Sequence, residues 1–242
     1  MTKRLTLGMV ISVFLAPASS AATWTVTNTN NSGAGSLRSA ISSAGSGDTV
    51  NFNLTYPATI TLTGGTLYIS QNLTISGPGP ANLTINGTTG GTGPFTVVTI
   101  GAVNVNISGV TITGGGTNSS GGLFGPVGTG GGIVNGGTLT LTNSTVSGNA
   151  LNSTGLVYGG GIYNTGTLTI INCTVSGNSA SGSGNRQSEG GGVYNVGTLT
   201  IADSSLSGNS VSSGNLAGSG GAIYNNGALT VTNIRPRIIK GT

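Results

Sequence analysis

In 242 residues the chain carries seven Lys and Arg, three Asp and Glu, one Cys and no His. That composition excludes His-based metal sites and catalytic triads, an internal disulfide, and the basic stripe with which proteins neutralise phosphates, so nucleic acid is not an expected partner. With 47 Gly and 35% apolar residues, such a chain buries a core only if its surface is made of Thr, Ser and Asn, as in β-rich exported repeat proteins.

Residues 1–21 read as a signal peptide. Lys3 and Arg4 precede an apolar run from Leu5 to Ala16, and Pro17 to Ala22 is rich in small residues suited to cleavage. The run falls short of the roughly 20 apolar residues of a spanning helix. The expectation is export by a Sec-type route to the extracellular space or the bacterial outer surface, with no transmembrane segment in the mature chain. Removing the leader takes two cations with it. Arg235, Arg237 and Lys240 crowd the last eight residues, which leaves Arg38 and Arg186 against Asp48, Glu189 and Asp203 in a nearly neutral body.

Residues 22–53 form an N-terminal capping segment. Ser36 can cap a helix in which Leu37, Ala40, Ile41 and Ala44 share one face until Gly45 ends it. A solenoid exposes an apolar cross-section at its end, and a short amphipathic helix is a natural lid for it. Arg38 is expected to pair with Asp48 or with a backbone carbonyl.

Residues 54–233 are repetitive. Four aligned copies occupy 130–149, 159–178, 190–209 and 220–233, with starts 29, 31 and 30 residues apart; the second reads GGGIYNTGTLTIINCTVSGN. Each full copy holds three short β-prone pieces, here Ile162-Tyr163, Leu168-Thr169-Ile170 and Thr174-Val175-Ser176. Alternation puts Ile162, Leu168, Ile170 and Val175 on one side and Tyr163, Thr169, Thr174 and Ser176 on the other. No such strand is stable alone, but stacked in register each pairs with its equivalent in the next coil. The predicted fold is therefore all-β, a right-handed parallel β-helix with a short N-terminal capping helix. Asn135, Asn164, Asn195 and Asn225, and again Asn149, Asn178 and Asn209, are expected to stack as hydrogen-bonded amide ladders. Upstream the rhythm is degenerate, with one coil at Leu67-Tyr68-Ile69 and Leu73-Thr74-Ile75 and another at Val103 to Ile112. Thr117 to Thr129 reads as a surface loop, and the Ser/Gly/Asn stretches after each copy read as variable linkers.

These residues carry a resemblance. GSLRSAI followed by GDTVNFN, Gly35 to Asn53, resembles the opening of bacterial right-handed β-helix repeat proteins. The copies GG[GA][IV]xN and [VL]SGN are similar to the repeats of the chlamydial polymorphic outer-membrane protein family, which are autotransporter passengers. The resemblance implies the fold and, by analogy, an adhesive role. This sequence shows no autotransporter barrel of the kind that anchors those relatives.

The chemistry-bearing residues are few. A glycosidase needs two carboxylates across a groove, and a pectate-lyase-like site needs several for Ca²⁺ with a basic residue beside them. Here Asp48 lies in the capping segment, and Asp203 aligns with Asn143 and Asn172 as a structural variant of a turn. Glu189 closes a linker, where Arg186 is expected to be its exposed partner. A β-helix polysaccharide lyase or glycoside hydrolase is thus the alternative to a non-catalytic scaffold. The residues call for no cofactor and no metal. Cys173 aligns with Ser144 and Ser204, the pattern of a small side chain at a tolerant turn.

Two outward rows are candidate contact surfaces for cell-surface glycans or host and matrix surfaces. Tyr163, Tyr194 and Tyr224 align as stacked rings, and sugars bind flat aromatic faces. Thr138 and Thr140, Thr167 and Thr169, and Thr198 and Thr200 form a hydroxyl lattice, with spacings of about 6.7 Å along a strand and about 4.8 Å between coils. Such a lattice suits ordered water, which makes ice binding a second alternative. Residues 234–242 break the template with Pro236 and three cations. This tail reads as a truncation, with the expectation that Leu229 and Val231 are left open for end-to-end self-association.

Overall fold

A computed structural model describes residues 20–87, 95–119, 128–183 and 187–233. Its strands form five all-parallel sheets, stacked as a β-solenoid, with one helix among the described residues. Strands of one sheet are joined by a full coil of chain, a crossover that is right-handed in nearly all parallel sheets.

Three sheets enclose the main core. The long sheet has eight strands, from Thr23–Val26 and Asp48–Phe52 at one end to Thr198–Ala202 and Ala228–Thr232 at the other. A six-stranded tyrosine sheet runs from Leu67–Ile69 to Ile223–Asn225, and a third sheet, also of six strands, runs from Ala58–Thr61 to Ser205–Ser207. The register is the one that the repeats imply. Leu139, Leu168 and Leu199 stack in one column, with Leu141, Ile170 and Ile201 beside them, and all six are fully buried. Each strand is too short to persist alone, so the stack of identical apolar side chains holds it in place.

Between the long sheet and the third sheet the chain turns through one left-handed residue per coil. Asn143, Asn172, Asp203 and Asn233 take φ values of 47°, 50°, 51° and 51°. Asn and Asp tolerate this conformation because their short polar side chains bond locally. Asp203 is therefore a turn residue, as its alignment implied. The next position is a buried column of small side chains, where Ser204 Oγ accepts from the backbone N–H of Cys173 at 3.0 Å.

The linkers are not loops. Ala150–Ser153, Ser179–Gly182 and Ser210–Ser213 join Gly116–Ser119 in a four-stranded sheet, and Val157–Tyr158 and Ser188–Glu189 join Gly128–Thr129 in a three-stranded one. Together they form a side lobe with its own small core of Leu151, Val157 and Ala180, against which Val211 packs. Low apolar content hid these strands from the periodicity, because Ser and Gly fill half of the positions. The expected loop from Thr117 to Thr129 begins and ends in two of these strands; residues 120–127 lie outside the described residues.

A narrow neck joins lobe to coil. At Gly160 a side chain would run into the backbone of Ser179, and at Gly161 into the carboxamide of Asn178. The GGG at the start of each full copy and the SGN at its end are thus two halves of one contact.

At the N-terminal end, Ser36 Oγ accepts from Ser39 N at 3.2 Å and caps the helix Leu37–Ser43, which buries Leu37, Ala40 and Ile41 against the first coils. Arg38 reaches carbonyls, Gly65 O at 2.6 Å and Thr66 O at 2.8 Å. Asp48 instead accepts from Ala22 N at 2.7 Å, Gly45 N at 2.8 Å and Trp24 Nε1 at 2.9 Å, which holds its carboxyl below the usual carboxylate range. The two strands on either side of the helix already belong to the long sheet, so the capping segment is built into the solenoid. No helix among the described residues is long and apolar enough to cross a membrane. Residues 1–19 of the proposed leader at 1–21 and the tail at 234–242 lie outside the described residues.

Candidate functional site

Two surfaces collect the residues singled out above. The first is the outer face of the long sheet. Thr140, Thr169 and Thr200 are in register, and pairing extends the column through Thr230 in one direction and through Asn106, Thr74, Thr49 and Thr23 in the other. Only the last part of it is legible in the sequence, since the upstream coils depart from the template. Beside it Thr138, Thr167 and Thr198 align with Asn104. These last three Thr are exposed, whereas Thr140, Thr169 and Thr200 are half-buried. Every outward residue of this sheet is uncharged.

At the edge of this face lies a shallow groove of about 270 Å³, lined by Gly136, Gly137, Gly166, Asn104, Thr138 and Thr167 among others. The Gly positions are enforced by stacking, because a side chain at Gly166 would collide with the backbone of Gly137. A second hydroxyl column, Thr59, Thr84, Thr111, Thr145, Thr174 and Ser205, runs along the third sheet. Of this column the sequence pattern marks Thr174, in the piece Thr174-Val175-Ser176.

The second surface is the tyrosine sheet where it meets the lobe. Tyr163 and Tyr194 stack with centroids 5.3 Å apart and planes at 9°, and Tyr194 and Tyr224 at 5.1 Å and 4°. Tyr68 begins the same column three coils before Tyr163 and is 59% exposed. The stacking has a consequence for sugar contact: Tyr194 has a neighbouring ring on each face, so the row presents edges and hydroxyls rather than open platforms.

The lobe supplies a facing wall. Thr129, Tyr158, Glu189 and Ser219 align in one column of it. Tyr158 crosses to meet Tyr194 at 4.6 Å and Tyr163 at 6.4 Å. Glu189 is not the exposed linker residue that its position suggested. It is 8% exposed, and the Tyr224 hydroxyl donates to its carboxylate. Burial raises the Glu189 carboxyl above its ordinary range, and burial with the nearby Glu189 charge pushes the Tyr194 hydroxyl up to about 12. Arg186, its expected partner, lies outside the described residues.

The remaining reactive groups are dispersed. Asp48, Asp203 and Glu189 sit respectively at the capped end, at a corner of the coil and in the lobe. The Cys173 thiol is 4% exposed, donates to Ile171 O at 3.1 Å, and is pushed up to about 11 by burial. No group of His, Cys, Asp or Glu among the described residues could hold a metal ion. No family model matches the chain, and neither a curated protein nor a solved structure matches it significantly.

Proposed function

We propose that this protein is an exported, non-catalytic scaffold that lies against extended carbohydrate at a cell or matrix surface. The observation that carries this reading is the uncharged hydroxyl and amide face of the long sheet, continuous over eight strands. Neutral polysaccharides present rows of hydroxyls, and a flat array of donors and acceptors matches them without desolvating a charge. The glycine-lined groove at its edge gives a sugar ring close access to backbone. The similarity of the repeats to those of the chlamydial polymorphic outer-membrane proteins supports an adhesive role at the bacterial surface. The separation of the three acids speaks against two-carboxylate hydrolysis.

The regular Thr column favours a second reading, ordered water and ice. Co-sedimentation with insoluble cellulose, chitin and bacterial cell-wall particles tests the first reading, and thermal hysteresis the second. Replacing Thr140, Thr169 and Thr200 together with Lys should weaken particle binding at least about ten-fold, the effect of losing some 1.4 kcal/mol. Binding unchanged in that variant removes the long sheet as the contact face.

A further inference from the structure

We propose that a cleft at the capped end of the solenoid is a subsite for uncharged oligosaccharide, which it holds by the ring hydroxyls. The class of ligand rests on the carbohydrate reading above, whereas the site is a different one. The cleft has a volume of about 500 Å³ and is lined by Thr27, Thr29, Asn30, Asn53, Leu54 and Thr55 among others. Small-molecule sites commonly measure about 300–1,000 Å³. It lies beyond the ends of the first two strands of the long sheet, Thr23–Val26 and Asp48–Phe52. The glycine-lined groove instead lies at the starts of three later strands.

Both walls are held by the chain itself. On one, Thr27 N and Asn28 N donate to Gly35 O at 2.9 and 3.3 Å. The Asn28 carboxamide donates to Ala34 O at 2.9 Å and accepts from Asn30 N at 3.1 Å. Asn31 Oδ1 accepts from Thr63 N and Gly64 N, which ties this wall to a later turn. On the other wall Asn53 N donates to Val26 O at 2.9 Å, Leu54 packs on the main core, and Tyr56 Oη donates to Phe52 O at 3.2 Å. Walls fixed in advance reduce the ordering that binding costs.

The groups left over are polar and neutral. Thr27, Thr29, Asn30, Asn53 and Thr55 are exposed, and the Asn30 and Asn53 carboxamides have no hydrogen-bond partner among the described residues. Each carboxamide offers donors and an acceptor side by side, and each hydroxyl offers both, which suits neighbouring hydroxyls on a sugar ring. No residue lining the cleft is ionisable. The charges of the capping segment are already engaged: Asp48 accepts from three N–H groups, and Arg38 donates to Asn31 O, Gly65 O and Thr66 O. A charged sugar would lose hydration here with no counter-ion to offset it, so the cleft favours neutral rings.

Calorimetric titration of the full chain with cellotetraose, maltotetraose, the fully N-acetylated chitin tetramer and tetragalacturonate tests the proposal. At least one neutral tetramer should bind about ten-fold or more tightly than tetragalacturonate. Replacing Asn30 and Asn53 together with Ala should weaken that binding about ten-fold, the scale of two hydrogen bonds. Thr55→Trp, which fills the cleft from an exposed position, should abolish it. An unchanged thermal midpoint establishes that these variants fold. Three coils, about 14 Å of stacking, separate the strand Asp48–Phe52 from that of Thr140. The triple Thr-to-Lys variant should therefore keep tetramer binding while losing particle binding. Neutral tetramers that bind no better than tetragalacturonate overturn the proposal, as does binding that survives both cleft variants or is lost in the triple Thr-to-Lys variant. Particles bound by the native chain with no tetramer bound overturn the cleft alone. Tetramer binding lost in the cleft variants, with no particle bound by the native chain, overturns the long-sheet reading and upholds the cleft.

Discussion

The side-chain oxygen of Asn178 accepts two hydrogen bonds from Asn149, one from its backbone N–H at 3.1 Å and one from its Nδ2 at 2.9 Å. Asn178 stands in the same relation to Asn209, and both Asn149 and Asn178 are fully buried. The amides therefore form a chain along the neck, each satisfying the coil before it. Asn178→Ala leaves a buried N–H and a buried amide of Asn149 without that acceptor. A loss of about 1–3 kcal/mol is expected from the one N–H left unsatisfied, since Asn149 Nδ2 keeps Ile112 O and Ser147 O as acceptors. Urea unfolding measures it; a midpoint within experimental scatter of the native value contradicts the ladder.

Leu168 lies in the central column of the long sheet with no exposed surface. Leu168→Ala should cost about 2–5 kcal/mol, and Leu168→Asp should cost more, because a buried unpaired charge adds its desolvation. Thermal unfolding that ranks Asp as the milder change would reverse the inward and outward faces.

Cys173 couples stability to alkaline pH. Its thiol is raised to about 11 in the folded chain, against about 8.5 in an unfolded one. Above the lower value the unfolded state releases a proton that the folded state retains, so stability falls between the two values as pH rises. Below about pH 8.5 the contribution is flat. Cys173→Ser, which completes the column of Ser144 and Ser204, should be near neutral at pH 7 and should flatten the fall above pH 9. An aromatic disulfide reagent at pH 8 should label native protein far more slowly than protein in urea.

Leu229 and Val231, on the outermost described strand of the long sheet, are 40% and 41% exposed. An open strand edge with apolar side chains templates pairing with another chain. The expected outcome is concentration-dependent self-association in sedimentation velocity, reduced when both residues are replaced by Lys. A native chain that stays monomeric at high concentration, or a double Lys variant that associates equally, would refute this role for the edge.

The sequence by itself determined the coil. Leu168, Ile170 and Val175 alternate with polar neighbours and recur at fixed offsets, and that pattern has one stable solution, in-register stacking. It also determined the amide ladders, since Asn at fixed intervals in a parallel stack falls on top of Asn. The helix lid was legible from Ser36 and the spacing of Leu37, Ala40 and Ile41. What only the tertiary structure decided is what lies beside what around the coil. The lobe was invisible because its strands are short and half Ser and Gly, so that Leu151, Val157 and Ala180, the buried apolar residues of its small core, are too few to set a period. Arg38 found carbonyls rather than Asp48 because the lid's seating, not its sequence distance, sets its reach. Glu189 became a buried residue beside the tyrosine sheet for the same reason: its strand is followed by the turn at Gly190, φ 70°, and a contact across sheets is one that no linear spacing encodes.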